Sequence, residues 1–179
     1  MNLYLSGMIG SGKTTIGTQL AARLNARFLD LDQEMDQRLG YSFHRLVKEQ
    51  GWLPFRELEY AICKYFAGFT GAVVSLGGGT VRYEWNRDVI AASGVTVLLE
   101  ASEAELIHRV ARADRPRVNS GADLSEDVHR LWSLHAETYR SAADLIFSTE
   151  GKELSDEVAE LEHLIRTDPR LRPVRSFLP

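Results

Sequence analysis

Residues 7 to 14 read Gly-Met-Ile-Gly-Ser-Gly-Lys-Thr, the order of residue types that holds phosphate. Glycines let the backbone turn tightly, so successive amides point inward at phosphate oxygens while a following helix start adds partial positive charge. Gly10, Ser11, Gly12, Lys13, Thr14 and Thr15 are therefore expected around a nucleotide such as ATP. Lys13 supplies a point charge, and the Thr14 hydroxyl is placed for a Mg2+ ion that bridges the β- and γ-phosphates. The apolar run from Asn2 to Leu5 enters the loop, and Ile16, Leu20 and Leu24 recur at helical spacing beyond it. Thr15 is expected to start the packed face of that helix. A turn that merely joined strand to helix would not need a lysine and a hydroxyl at these offsets.

Phosphate binding alone does not separate a kinase from a switch or a motor, so other residues must decide. No Asn-Lys-x-Asp stretch for reading a guanine base is present. Asp30 and Asp32 lie two residues apart at the end of a second apolar run, on one side if the chain stays extended. One can orient Mg2+ or its water while the other accepts hydrogen bonds from an acceptor hydroxyl; alternatively Asp32 caps a helix beginning near Gln33. In the stretch from Trp52 to Phe66, the residues Trp52, Phe55, Arg56, Glu59, Cys63 and Phe66 share one helical face. Two charges in an apolar stripe must pair or meet a ligand, and a guanidinium suits a ligand carboxylate. Gly77, Gly78 and Gly79 would let bare backbone approach a substrate. Between residues 111 and 123 a stretch with Arg112, Arg115 and Pro116 has no apolar periodicity, which suits a lid. A closing Arg115 would neutralise charge on a transferred phosphoryl group. Arg109 and Arg112 are expected at adenine or phosphate, or else as solvated surface charges.

These residues need a frame. Short apolar runs at 2–5, 27–30, 72–75, 95–99 and 144–147 read as five strands alternating with helical stretches. Such alternation builds a parallel sheet covered on both faces, an α/β three-layer sandwich. Parallel strands present their carboxyl ends to the ligand crevice, which would gather the loop, the two aspartates and the glycines at one edge. A single domain is expected over 1–166, with a tail at 167–179 outside the core.

With 179 residues the chain can bury a full core without staples. A net charge of -4 leaves no general field for nucleic acid. Cys63 is the only cysteine, so no internal disulfide can form and a reduced compartment is expected, with the thiol acting as a small buried hydrophobe. No leader pattern or apolar run of about 18 residues is seen, so the reading is a cytoplasmic protein without membrane partners. A monomer is expected.

Taken together, the loop ending in Gly12-Lys13-Thr14, Asp30 and Asp32, Gly51 followed by Phe55, Arg56 and Glu59, the glycines at 77–79 and the Arg115-Pro116 pair resemble the shikimate kinase family in order and spacing. The resemblance spans roughly residues 2 to 165. It implies a nucleoside monophosphate kinase-like fold with a closing lid, and transfer of the γ-phosphate from MgATP to the 3-hydroxyl of shikimate. It further implies that Lys13 and Arg115 stabilise the moving phosphoryl and that Thr14 with Asp30 holds Mg2+, directly or through water. Asp32 would bind ring hydroxyls and act as base, Arg56 would grip the carboxylate, Glu59 would support the pocket, and Gly78 and Gly79 would donate backbone contacts. The family has a second carboxylate-binding arginine four residues before a tyrosine; here His135 stands at that spacing from Tyr139. Val128, Leu131, Trp132, His135, Tyr139 and Ala142 form one helical face, so His135 is expected to point inward. It would serve as a protonated substitute in acid or as a packed core histidine. Arg130 and Arg140 project from other faces, although Arg140 is long. A sibling kinase for gluconate or a valiolone-like ring, and a regulator that binds nucleotide without turnover, are the alternatives.

Overall fold

The computed structural model describes residues 1–112 and 123–175. The lid region around Arg115 therefore lies outside the described residues, as does the side chain of Arg112. Five strands, β1 (Asn2–Ser6), β2 (Arg27–Asp30), β3 (Ala72–Ser75), β4 (Gly94–Glu100) and β5 (Leu145–Ser148), form one sheet in the order β2-β3-β1-β4-β5. Every pairing is parallel, with Leu3 opposite Val73 on one side and Val95 on the other. The helices are α1 (Lys13–Arg23), α2 (Leu31–Leu39), α3 (Phe43–Gln50), α4 (Trp52–Ala67), α5 (Glu84–Ser93), α6 (Glu103–Arg112), α7 (Leu124–Ser141), α8 (Leu154–Thr167) and the short α9 (Arg172–Arg175).

The alternation of side chains along each strand divides the interior in two. Leu3, Leu5, Val97 and Leu99 face a core completed by Ile16 and Leu20 of α1 and by Val158 and Leu161 of α8. Tyr4, Val74 and Leu98 face the opposite core, with Met35 of α2, Ile62 and Phe66 of α4, Ile90 of α5 and Val128 of α7. The three-layer sandwich follows directly. Cys63 lies in this second core, and burial pushes its thiol pKa up.

Two local expectations need correction. Residues 169–175 do not stay outside the core, because a 3-10 turn at Pro169–Leu171 and then α9 set Leu171 and Val174 at 0% exposure against α8 and β4. Pro169, one of the prolines that weaken helical periodicity here, starts the turn instead, where a missing N–H costs nothing. Thr15 is exposed, so the packed face of α1 starts at Ile16.

Candidate active site

The carboxyl ends of β1, β2 and β3 meet at one edge of the sheet, and each contributes one wall. After β1, Gly7, Gly10 and Gly12 take positive φ of 145°, 83° and 93°, a region open to glycine but strained for other residues. A side chain on Gly10 would also lie 2.8 Å from Val110 Cγ2, so α6 packs tightly against the loop. Gly12 has no side chain to cap α1, which leaves the helix start for an anion. Lys13 Nζ donates to the carbonyls of Gly7 and Met8 at 2.8 and 2.9 Å, folded over the loop it serves. Ser11 is buried within the loop, and its hydroxyl accepts from Lys13 Nζ at 3.4 Å.

After β2 the chain does not stay extended. Asp30 is both the last strand residue and the cap of α2, since its Oδ1 accepts from the Gln33 amide at 3.1 Å and its Oδ2 accepts from the Thr14 hydroxyl at 2.8 Å. The cap is therefore Asp30 and not Asp32, which lies in the first turn of α2. Asp32 accepts no hydrogen bond among the described residues. Burial first, then the charge of Asp30, raise its pKa to about 6, with Glu59 and Asp36 adding to the rise and Lys13 opposing it. A carboxyl poised there can take a proton near neutral pH.

After β3 come Gly77, Gly78 and Gly79. None of them has positive φ; of the first two only Gly77 is crowded, with Thr80 Oγ1 2.9 Å from where a Cβ would stand. A Cβ on Gly77 would sit 3.2 Å from Asp32 Oδ1 and 3.4 Å from Glu59 Oε1, and one on Gly78 would sit 3.6 Å from the Ile9 amide of the phosphate loop. The Gly78 carbonyl accepts from the Tyr139 hydroxyl.

Glu59, at 0% exposure, ties the acceptor side together. It accepts from Arg56 Nη1 at 2.7 Å, the Thr80 hydroxyl at 2.8 Å and Asn86 Nδ2 at 3.2 Å. The salt bridge and the ligand role for Arg56 are not exclusive. With Nη1 engaged, the Nε and Nη2 edge of its guanidinium has no partner among the described residues, and the Nε atom is fully buried. Such an orphaned edge fits a carboxylate bidentately. The rings of Phe55, Trp52 and Tyr83 surround the cation at 4.7, 5.1 and 4.6 Å. Trp52, expected in the buried stripe, is 44% exposed and acts as an edge of this aromatic setting.

A family model described as shikimate kinase matches residues 9–166. The chain belongs to the shikimate kinase family. It is 39% identical to a shikimate kinase of Chlorobium luteolum, over 94% of this chain and 89% of that protein. It is 37% identical to a shikimate kinase of Pseudomonas aeruginosa, over 95% and 99%. A solved shikimate kinase from Acinetobacter baumannii in complex with shikimate superposes with a TM-score of 0.88 at 25% identity, covering 94% of both chains.

Against that family pattern, α7 places His135 half-buried. Burial lowers its pKa, and Arg82 and Arg130 lower it further. The surroundings therefore disfavour the protonated imidazole expected to stand in for the arginine. Arg130 pairs with Asp127 at 3.0 Å, and Arg140 pairs with Glu100 at 2.9 Å while stacking on Trp132, so neither replaces it. Arg109 donates to Thr149 Oγ1 and O at 3.0 and 2.7 Å and to Glu105 at 2.7 Å, which engages its edges and leaves its planar faces. Sequence reasoning missed Thr80, Tyr83 and Asn86. Only Asn86 left a signal, as a polar residue four before Ile90 on the buried stripe of α5.

Proposed function

We propose that this chain transfers the γ-phosphoryl group of ATP to the 3-hydroxyl of shikimate. The observation that carries this reading is Asp32, a carboxyl held near pH 6 within the field of both Lys13 on the phosphate side and Glu59 on the acceptor side. The acceptor oxygen bonds to the γ-phosphorus as the bond to the β–γ bridging oxygen breaks. ADP leaves, and the hydroxyl proton passes to Asp32. Little covalent work falls to the protein, so positioning and electrostatics dominate.

The amides of Gly10 to Thr14 and the Lys13 ammonium hold the phosphates. Arg109 offers a planar face to adenine, because its edges are already bonded within the fold. Arg115 neutralises the transferred charge. Thr14 and Asp30 fit a Mg2+ ion, since two hard oxygen donors already touch at 2.8 Å. No group of three metal-ligating side chains exists among the described residues, so phosphate and water must complete the shell, as Mg2+ prefers. When bound, the metal neutralises charge on the β- and γ-oxygens. On the acceptor side the free edge of Arg56 takes the carboxylate, Gly77, Gly78 and Gly79 admit the ring, and Asp32 reads its hydroxyls.

A coupled ADP-release assay with MgATP tests this. Release that depends on shikimate and is absent with gluconate or a neutral cyclitol is expected. Gluconate-dependent release without shikimate turnover would overturn the choice of acceptor, and tight ATP binding with no turnover on any acceptor would leave a nucleotide-binding protein.

A further inference from the structure

An acceptor carboxylate carries two oxygens, and Arg56 presents one edge. The α7 position that would supply a second cation holds His135, whose protonation is disfavoured by burial and by Arg82 and Arg130, and the two arginines of α7 are paired with Asp127 and Glu100. A different cation stands at the same wall. Arg82, on the 3-10 turn Thr80–Arg82, lies against the backbone of the triple glycine: a Cβ on Gly79 would come within 2.2 Å of its Nη2 and 2.9 Å of its Cζ. The bare Gly79 backbone lets this guanidinium lie against it.

Arg82 has no carboxylate within 4 Å among the described residues, and its Nε reaches only the Gly79 carbonyl at 3.4 Å. It is half-buried. The next residue, Tyr83, carries the ring over which Arg56 lies at 4.6 Å. Across the wall, Tyr139 donates to the Gly78 carbonyl. Burial raises the Tyr139 hydroxyl pKa, while Arg82 and Arg56 both draw it down, so both cations act at the same hydroxyl. Two guanidinium groups sharing a partly desolvated wall repel each other unless an anion joins them.

We propose that Arg82 is the second carboxylate-binding residue for the acceptor, doing from the turn after β3 what an arginine at position 135 would do from α7. The cation has moved between elements while the pocket keeps its charge. This rests on the reading of the acceptor as shikimate.

The test is a double-mutant cycle on the full chain with Arg82→Met, His135→Arg and both, read as steady-state kinetics against shikimate and its uncharged methyl ester. Arg82→Met is expected to raise the shikimate KM by about ten- to a hundredfold, with the KM for ATP unmoved and discrimination against the ester largely lost. His135→Arg alone changes little, because Arg82 already fills the role, but it restores the shikimate KM in the Arg82→Met background. Arg82→Lys, which keeps the charge without the fork, should fall between. An unchanged shikimate KM in Arg82→Met, or a KM that rises equally for shikimate and the ester, overturns the role of Arg82 and leaves the activity standing. If the unsubstituted chain does not turn over shikimate at all, the functional reading and this assignment fall together.

Discussion

Buried first of all, and with the charges of Asp30, Glu59 and Asp36 acting on it as well, Asp32 ionises near pH 6 and not near 3.8. Between those values folding takes up a proton, so stability falls as pH rises through the window. Above pH 6 the ionised group costs about 3 kcal/mol. Asp32→Asn is therefore expected to raise the unfolding midpoint at pH 8, by about 1 to 3 kcal/mol, with much less gain at pH 4. The same substitution should lower kcat by about a hundredfold or more, and the unsubstituted enzyme should gain kcat/KM as pH rises through about 6. A variant that loses activity without gaining stability at pH 8 would show that ionised Asp32 does not burden the fold. Glu59 is the reverse case. Removing it as Glu59→Ala leaves Arg56, at 8% exposure, as a buried unpaired cation, which costs about 3 to 5 kcal/mol. Urea unfolding should show the loss, and the shikimate KM should rise as Arg56 loses its anchor.

Among the elements, the start of α2 does two things with one side chain. Asp30 caps the helix through Oδ1 and meets Thr14 through Oδ2. The two uses separate by substitution, because asparagine caps about as well as aspartate whereas alanine loses about 1 kcal/mol. At pH 4, where Asp32 is protonated, Asp30→Asn should keep its unfolding midpoint and Asp30→Ala should lower it, and both should need more Mg2+ for half-maximal rate at neutral pH. An Asn variant with the original Mg2+ dependence would remove Asp30 from the metal site. This junction also marks where the sequence stopped being legible. The five strands stand within a residue or two of their expected bounds, because apolar runs in a doubly covered parallel sheet are continuous and sharply ended. The phosphate loop was equally plain, since its geometry demands glycine at fixed offsets. The turn into α2 was not, because Asp30 and Asp32 are both acceptable caps and only packing decided between them. Nor could spacing show that Thr80, Arg82 and Asn86 reach Glu59 or the triple glycine. Those meetings depend on how α4, α5 and the 3-10 turn cross, which no single stretch of sequence encodes.

At the scale of the whole molecule, two cores flank one sheet, and the last described turn closes one of them. Leu171 and Val174 are fully buried, and Arg175 donates to the Ile165 carbonyl at 2.6 Å. Ending the chain after Asp168 should cost about 3 to 6 kcal/mol from the two aliphatic side chains, seen as a lower urea midpoint with the KM values for both substrates nearly unchanged. A truncated chain as stable as the full one would place these residues outside the cooperative unit. The opposite core holds the chain's one thiol. Cys63 sits on α4 one turn beyond Glu59, sealed and kept protonated by burial and by that carboxylate. A disulfide reagent can reach it only when α4 lifts away, so its modification rate under native conditions is a clock for that opening. Because α4 also carries Arg56, an acceptor gripped by that arginine should slow the clock in proportion to its occupancy. Binding can then be timed on the unlabelled, catalytically idle protein.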